Sequence, residues 1–224
     1  MPKCNICSCT EFINFNNRKA VQCANCGSLE RHRLVREVLE QLGFLNPIYC
    51  FGLKRVLHLA PEAVTYKYLF SIFGSGYYCS DMLPEKYPHC QALKLALPDG
   101  FDLFPKSYFD LILHNHVLEH IPGSYKDHLR CFVDILKPGG YMIFTIPFIN
   151  FSDMTIEGGE NLPSDAERLR IHGQGDHYKT FGKDLLDYFN EFDGAFSQAS
   201  VSFDVRHSIG APNDVVYVFR KSIS

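Results

Sequence analysis

The chain is predicted to fold as an α/β protein on a mostly parallel sheet, with a small cysteine-rich lobe in front. Three observations carry this. Short apolar runs alternate with amphipathic stretches over residues 51–224, the pattern of successive βαβ units. Residues 1–28 are instead polar and rich in cysteine. The 224 residues, 46% of them hydrophobic, suffice for one such domain with an appendage and exclude global disorder.

In the lobe, Cys4-Asn5-Ile6-Cys7 and Cys23-Ala24-Asn25-Cys26 form two C-x2-C knuckles fifteen residues apart. Each knuckle can aim two thiolates at one point, and two knuckles supply the tetrahedral set that Zn²⁺ favours. Gly27 suits a tight turn after the second knuckle. Four cysteines leave no open position, so Cys4, Cys7, Cys23 and Cys26 predict a structural zinc, and metal binding would supply much of the lobe's folding energy. Four free cysteines, or an oxidised pair, are the alternative. Cys9 is the nearest rival ligand, at a poorer spacing, while Cys50, Cys79, Cys90 and Cys131 read as small core residues.

A linker, 29–50, carries a helix over 29–42. Ser28 is its expected N-cap, Leu34, Val35, Val38, Leu39 and Leu42 its apolar stripe, and Gly43 its C-terminal stop. Strands follow at 55–59, 76–80, 92–95, 109–113, 140–146, about 198–204 and 215–220. Helices are expected at 62–73, 124–136 and 183–192. The connection 147–182 is long enough to be a lid or a binding loop.

In a doubly wound sheet, ligands sit beyond the carboxyl ends of the strands at the switch point. Three places reach it: the turn Ala60-Pro61-Glu62 after the first strand, Asp81 at the end of the second, and His114-Asn115-His116 at the end of the fourth. An acidic residue placed like Asp81 can clamp vicinal ribose hydroxyls, or it can cap the turn Met82-Leu83-Pro84.

The order of these motifs, together with Cys26 to Arg33, His116-Val117-Leu118-Glu119-His120, Leu136-Lys137-Pro138-Gly139-Gly140 and Gly173 to Gly182, resembles the class I S-adenosylmethionine-dependent methyltransferases (type 11 domain) that carry an N-terminal zinc ribbon. The resemblance covers residues 4 to about 192. It implies a Rossmann-like methyltransferase fold, a seven-stranded mostly parallel sheet with the last strand antiparallel, and adenosylmethionine as cofactor. Methyltransferases of this class usually carry an acidic residue in strand one and then G-x-G. Here His58, Ala60 and Glu62 stand at those positions. Ala60 is small enough for close backbone approach, Pro61 removes a donor, and Glu62 could accept from the cofactor's α-amino group. Adenosylmethionine has no phosphates, so it needs no glycine cradle. The loop Leu93 to Pro98 often carries an acid that binds the adenine amino group. This chain has none, which leaves backbone carbonyls near Leu95 and Ala96. Asn115 and His116 fall at the methionine end.

Methyl transfer owes much to orientation, so a general base need not be obvious. His177 beside Asp176 is the best candidate, with His120 near the substrate mouth and Tyr178 and Gln174 as acceptor contacts. Turn and loop hydrogen bonding is the alternative for all of these. His116 to His120 also matches the H-x-x-E-H zinc-protease pattern, but it follows a strand and meets Pro122-Gly123, with no room for the required helix. Arg31, His32 and Arg33 are expected to bridge the two domains, with an anionic substrate as the alternative partner.

The net charge of −3 and pI of about 6.3 give no strong field for nucleic acid. No apolar run approaches the roughly 18–20 residues of a membrane span. The N-terminus lacks a signal-peptide core, and nine cysteines without one fit a reducing cytoplasm. The leading expectation is a methyltransferase acting on a small molecule. The alternatives are an RNA methyltransferase whose ribbon touches RNA through Lys3, Arg18 and Lys19, and a non-catalytic binding module of the same fold.

Overall fold

The structure is a computed structural model that describes residues 1–97, 99–147, 152–157, 164–212 and 214–223. Pro98 and parts of the 147–182 connection lie outside the described residues. In the ribbon, β1 (Phe12–Phe15) and β2 (Arg18–Cys23) pair antiparallel. Helices α1 (Glu30–Gln41) and α2 (Pro47–Cys50) follow, then β3 (Val56–Leu59), α3 (Ala63–Phe73), β4 (Tyr77–Asp81), β5 (Leu93–Lys94), β6 (Phe109–Asn115), α4 (Tyr125–Ile135) and β7 (Leu136–Thr145). The long connection holds β8 (Ile156–Glu157), α5 (Asp165–His172) and β9 (Lys179–Thr180). Next come α6 (Asp184–Tyr188), β10 (Gly194–Gln198), α7 (Phe203–Ser208) and β11 (Tyr217–Lys221).

The main sheet has seven strands in the order β10-β11-β7-β6-β3-β4-β5, and only β11 runs against the rest. The sequence expectation of a mostly parallel sheet with an antiparallel last strand holds. The order reverses between β3 and β6, so the switch point lies beyond Leu59 and Asn115. Strands β3 and β6 are almost wholly buried because both faces are covered, which is why they read as continuous apolar runs. One face packs Leu34, Val35, Val38 and Leu39 of α1 against Val56, Leu111, Leu113 and Ile143. The linker helix is therefore a layer of the main domain. The other face packs α4 and α6 around Phe132, Phe144 and Phe189.

Lys137-Pro138-Gly139-Gly140 has a mechanical role. Phe109 pairs with Leu136 but Leu111 with Tyr141, so these four residues bulge out of β7. Gly139 has φ +74°, and a Cβ on Gly140 would lie 3.1 Å from the Phe109 carbonyl oxygen.

Two expected elements differ. The strand at 198–204 is replaced by β10 at 194–198 and helix α7, whose first turn is capped by Ser202 Oγ accepting from Val205 N. Ser28 is not the cap of α1. Leu29 is, and the ring of His32 accepts from Leu29 N at 3.0 Å. The Ser28 hydroxyl turns to the sulfurs of Cys4 and Cys26, each at 3.3 Å.

Candidate functional site

The four knuckle cysteines converge. Cys4 Sγ lies 3.7 Å from Cys26 Sγ, and Cys7 Sγ lies 3.5 Å from Cys23 Sγ. All four sulfurs lie within 4.8 Å of one another. A tetrahedral ion with Zn–S bonds of about 2.3 Å puts its sulfurs about 3.8 Å apart, so the quartet matches that size. Cys9 Sγ faces Glu11 instead, at 3.4 Å from its backbone nitrogen.

Arg33 fastens this lobe. Its side chain is fully buried and donates to the carbonyls of Ser28 (2.6 Å), Val21 (2.9 Å), Ile209 (2.7 Å) and Gly210 (2.6 Å). Burial pulls its pKa down, opposed by the negative fields of Cys4, Glu30, Cys23 and Cys26.

A pocket of about 720 Å³ opens beyond the carboxyl ends of β3, β4 and β6, within the range of small-molecule sites. A smaller cavity of about 230 Å³, near Leu42, Phe44 and Pro138, sits at the opposite ends of the strands. Position, by the switch-point rule, selects the larger one. Its floor is Leu59 and Ala60, with Ser80, Asp81 and Met82 on one side. Leu95 and Leu97 give an apolar wall, and His116, His120, Asp176 and Tyr178 form the far end.

Ala60 adopts φ +48°, the left-handed region usually left to glycine. Its nitrogen donates to Ser80 O at 3.0 Å. The alanine thus reproduces the sharp turn that a first glycine would make. Asp81 does two jobs, since Oδ1 accepts from Leu83 N at 2.8 Å while the residue still lines the pocket. Pro61 is buried, and its carbonyl accepts from His89 Nε2 at 2.7 Å.

Glu62 is placed otherwise than the sequence suggested. It does not line the pocket, and both of its oxygens are engaged. Oε1 takes Arg31 Nη2 at 2.8 Å and His32 Nε2 at 2.8 Å, and Oε2 takes Asn115 Nδ2 at 3.1 Å. The His32 tautomer follows, because Nδ1 already accepts from Leu29 N and Nε2 must therefore donate. Burial alone would raise the Glu62 pKa. His32, Arg31 and Asn115 outweigh it and hold the carboxyl well below its usual range. Asn115 is committed as well, accepting from Thr145 Oγ1 at 3.2 Å. Ala96, whose carbonyl accepts from Gly100 N, is also not among the lining residues.

The far end is rearranged too. The Asp176 carboxylate lies 3.5 Å from His120 Nδ1, so the expected His177–Asp176 pair is a His120–Asp176 pair. Nδ1 of His120 also bonds the Asp176 carbonyl at 3.1 Å. His177 is buried behind His120, their rings edge to face at 4.7 Å. Burial, then the neighbouring His120, lowers the His177 pKa. Arg168, Asp165, Lys86 and Tyr87 also line the pocket and were not anticipated. Arg168 comes from α5, lies over the Tyr178 ring at 4.6 Å and donates to Gly175 O at 2.6 Å. Ser164 to Glu167 is a readable S-x-x-E capping box that announces this helix.

The comparisons bear on the fold and the family. A search of curated proteins returns no match. Among solved structures, a SAM-dependent methyltransferase from Archaeoglobus fulgidus superposes with a TM-score of 0.53 at 16% identity, covering 85% of this chain and 94% of that one. The 1,6-didemethyltoxoflavin-N1-methyltransferase of Burkholderia thailandensis gives 0.51 at 16% identity, covering 84% and 76%. The CurJ carbon methyltransferase gives 0.51 at 14% identity, and the match spans only 53% of that chain. These likenesses show the fold. Residues 59–193, more than half of the chain, match the type 23 family described as "Methyltransferase domain". The chain therefore belongs to the methyltransferase-domain family of enzymes.

Proposed function

We propose that the protein transfers a methyl group from S-adenosylmethionine to a small-molecule acceptor, with a structural zinc ion held by Cys4, Cys7, Cys23 and Cys26. The observation that carries the reading is the pairing of Ala60, at φ +48°, with Asp81 on the walls of a switch-point pocket of about 720 Å³. When bound there, the cofactor supplies a sulfonium methyl for in-line attack by a nucleophile on the acceptor.

The chain's own groups divide the work. Asp81, braced by Leu83 N on Oδ1 and by the Tyr87 side chain, is the carboxylate that would meet the vicinal ribose hydroxyls. Leu95 and Leu97 would offer the base an apolar wall, and Ala60 would let the methionine end approach the backbone beside His116. Glu62 is a positioning residue that fixes the turn from behind through Arg31, His32 and Asn115. His120, Asp176, Tyr178 and Arg168 would face the acceptor, the last three brought there by α5 and the loop that follows it. Because the Asp176 carbonyl takes the Nδ1 proton of His120, its Nε2 carries a lone pair. The ribbon offers RNA little, since Arg18 is held by Glu30 at 2.6 Å. Among the described residues no helix is long and apolar enough to cross a membrane.

The test is thermal unfolding with S-adenosylhomocysteine. At about 100 times its Kd, linkage adds about 2.7 kcal/mol, a rise of roughly 5–10 °C for a chain this size. Asp81→Ala is expected to abolish the rise. A wild-type protein that shows no shift at millimolar ligand would be a binding module for something else.

A further inference from the structure

The mouth of the pocket holds a cluster that methyl transfer does not require. Glu119 and His120 stand on the short 3-10 turn after β6, and His177 is brought over them by the loop that follows α5. Backbone and side-chain bonds stitch the two segments together. Tyr178 N donates to Glu119 O at 2.7 Å, and the Lys179 ammonium donates to Ile121 O. Donor atoms of Glu119, His120 and His177 all lie within 4.8 Å of one another.

Two of the three are buried and unsatisfied. Glu119 is 1% exposed, and neither carboxylate oxygen has a hydrogen-bond partner among the described residues. His116 Nδ1 lies 3.2 Å from Oε1, but out of line for a hydrogen bond. His177 is 2% exposed, and its Nδ1 has no partner either. A buried carboxylate facing two imidazoles without a hydrogen bond is costly unless something cationic sits between them. Lys179, a buried cation whose field reaches Glu119, donates to the Ile121 carbonyl and makes no hydrogen bond to the Glu119 carboxylate. The third member is already oriented. His120 gives its Nδ1 proton to the Asp176 carbonyl, with the Asp176 carboxylate at 3.5 Å behind it, and this leaves Nε2 as the donor. An imidazole whose far nitrogen is held by a carbonyl or carboxylate is the usual arrangement of a metal-ligating histidine.

We propose that Glu119, His120 and His177 form a second metal site, for one divalent first-row transition ion, at the acceptor end of the pocket. Two imidazoles and one carboxylate suit zinc, iron, cobalt or nickel better than calcium or magnesium, which prefer all-oxygen sets. Bonds of about 2.0–2.2 Å require the donors to close by an ångström or less, and His120, partly exposed, has the freedom to do so. Three protein ligands leave a coordination position open, and since His120 is the one of the three that lines the pocket, a molecule held there is the nearest source of a fourth ligand. An oxygen of the acceptor, a hydroxyl or a carboxylate, is the chemistry that would fill it. The His116 to His120 motif that fails as a helical protease pair thus supplies ligands through Glu119 and His120, with the third drawn from a distant loop. The ion-binding claim stands apart from the methyl-transfer reading, because its test reads metal alone.

The experiment is a cobalt(II) titration of the full chain stripped of metal. Two equivalents are expected to bind. One gives a thiolate-to-cobalt charge-transfer band from the cysteine quartet, and the other gives only ligand-field bands. His120→Ala, Glu119→Gln and His177→Ala should each weaken the second equivalent at least tenfold and leave the thiolate band unchanged, which also reports an intact fold. If a buried variant fails to fold, the partly exposed His120→Ala decides. A single equivalent in the wild type, or a second one that survives His120→Ala, overturns the proposal. Loss of the thiolate band with the second equivalent retained would count against the ribbon alone.

Discussion

At the scale of single residues, the buried histidines set how the protein answers acid. His114 lies stacked between Phe132 and Phe144, fully buried, and burial pushes its pKa down to about 3. His58, also fully buried, is pushed down to about 4, with Nδ1 on the Tyr77 hydroxyl. Both stay neutral in the fold, whereas the unfolded chain protonates near 6.5. The unfolded state therefore binds protons first as pH falls. Stability is complete above about 6.5 and declines from there toward the folded values, by up to about 1.4 kcal/mol per pH unit for each histidine. His114→Leu keeps the stacking volume and removes one of the two. Between pH 7.5 and 5, urea unfolding is expected to show the wild type losing about 2 kcal/mol more than this variant. Equal losses would mean that His114 protonates without cost. The place of Asp81 at the pocket wall was legible in the sequence, because it follows from ending a strand at the sheet's carboxyl edge. The partners of Glu62 were not, since Arg31 and His32 reach it only after α1 has docked on the sheet. The same holds for Asp176, whose neighbour in sequence is His177 but whose neighbour in space is His120.

Among the elements, α1 does the most to join the molecule. Its apolar stripe was readable at helical spacing and is buried except for Leu42, the half-buried C-cap, yet the polar residues at its start matter as much. Arg33 reaches four carbonyls in the ribbon, the helix entry and the 209–210 turn, a fan that only a planar guanidinium can make. Arg33→Lys should satisfy two of them at most. With charge-assisted bonds worth about 1.5–3 kcal/mol each, the variant is expected to lose about 3 kcal/mol or more in urea unfolding. Arg36→Lys, half-buried with its ion-pair partner Glu40 as far off as 3.9 Å, keeps the charge and is the control, expected to cost under about 1 kcal/mol. A matching small loss at Arg33 would show that the fan does not hold the lobe. The elements the sequence hid have local causes. Val201 to Val205 alternates like a strand, but Ser202 caps a turn there and Asp204 favours its start, so a helix forms. The strand itself, Gly194 to Gln198, lacks β-branched residues and is held by pairing with β11.

Across the whole molecule, the cysteine lobe and the pocket are joined by one short path. The cysteine quartet and Ser28 fix Arg33, Arg33 fixes the start of α1, and from that start Arg31 and His32 grip Glu62, two residues beyond Ala60. The sheet order was legible because motif order follows it, but this path was not, since it runs between segments whose contacts are all tertiary. It has a thermodynamic consequence. If the ribbon's metal holds α1 in place, cofactor and ribbon metal must favour each other by the same factor. Cys7→Ser, which weakens the quartet without touching the pocket, is expected to lower S-adenosylhomocysteine affinity by about 5-fold or more, the low end of typical coupling. Calorimetric titration measures it directly. The route is tested by a double-mutant cycle with Glu62→Gln. In that background Cys7→Ser should change affinity little, because the link is already cut. An unchanged affinity in Cys7→Ser would make the ribbon an independent appendage. A drop that persists undiminished in Glu62→Gln would send the coupling through Arg33 and the 209–210 turn instead.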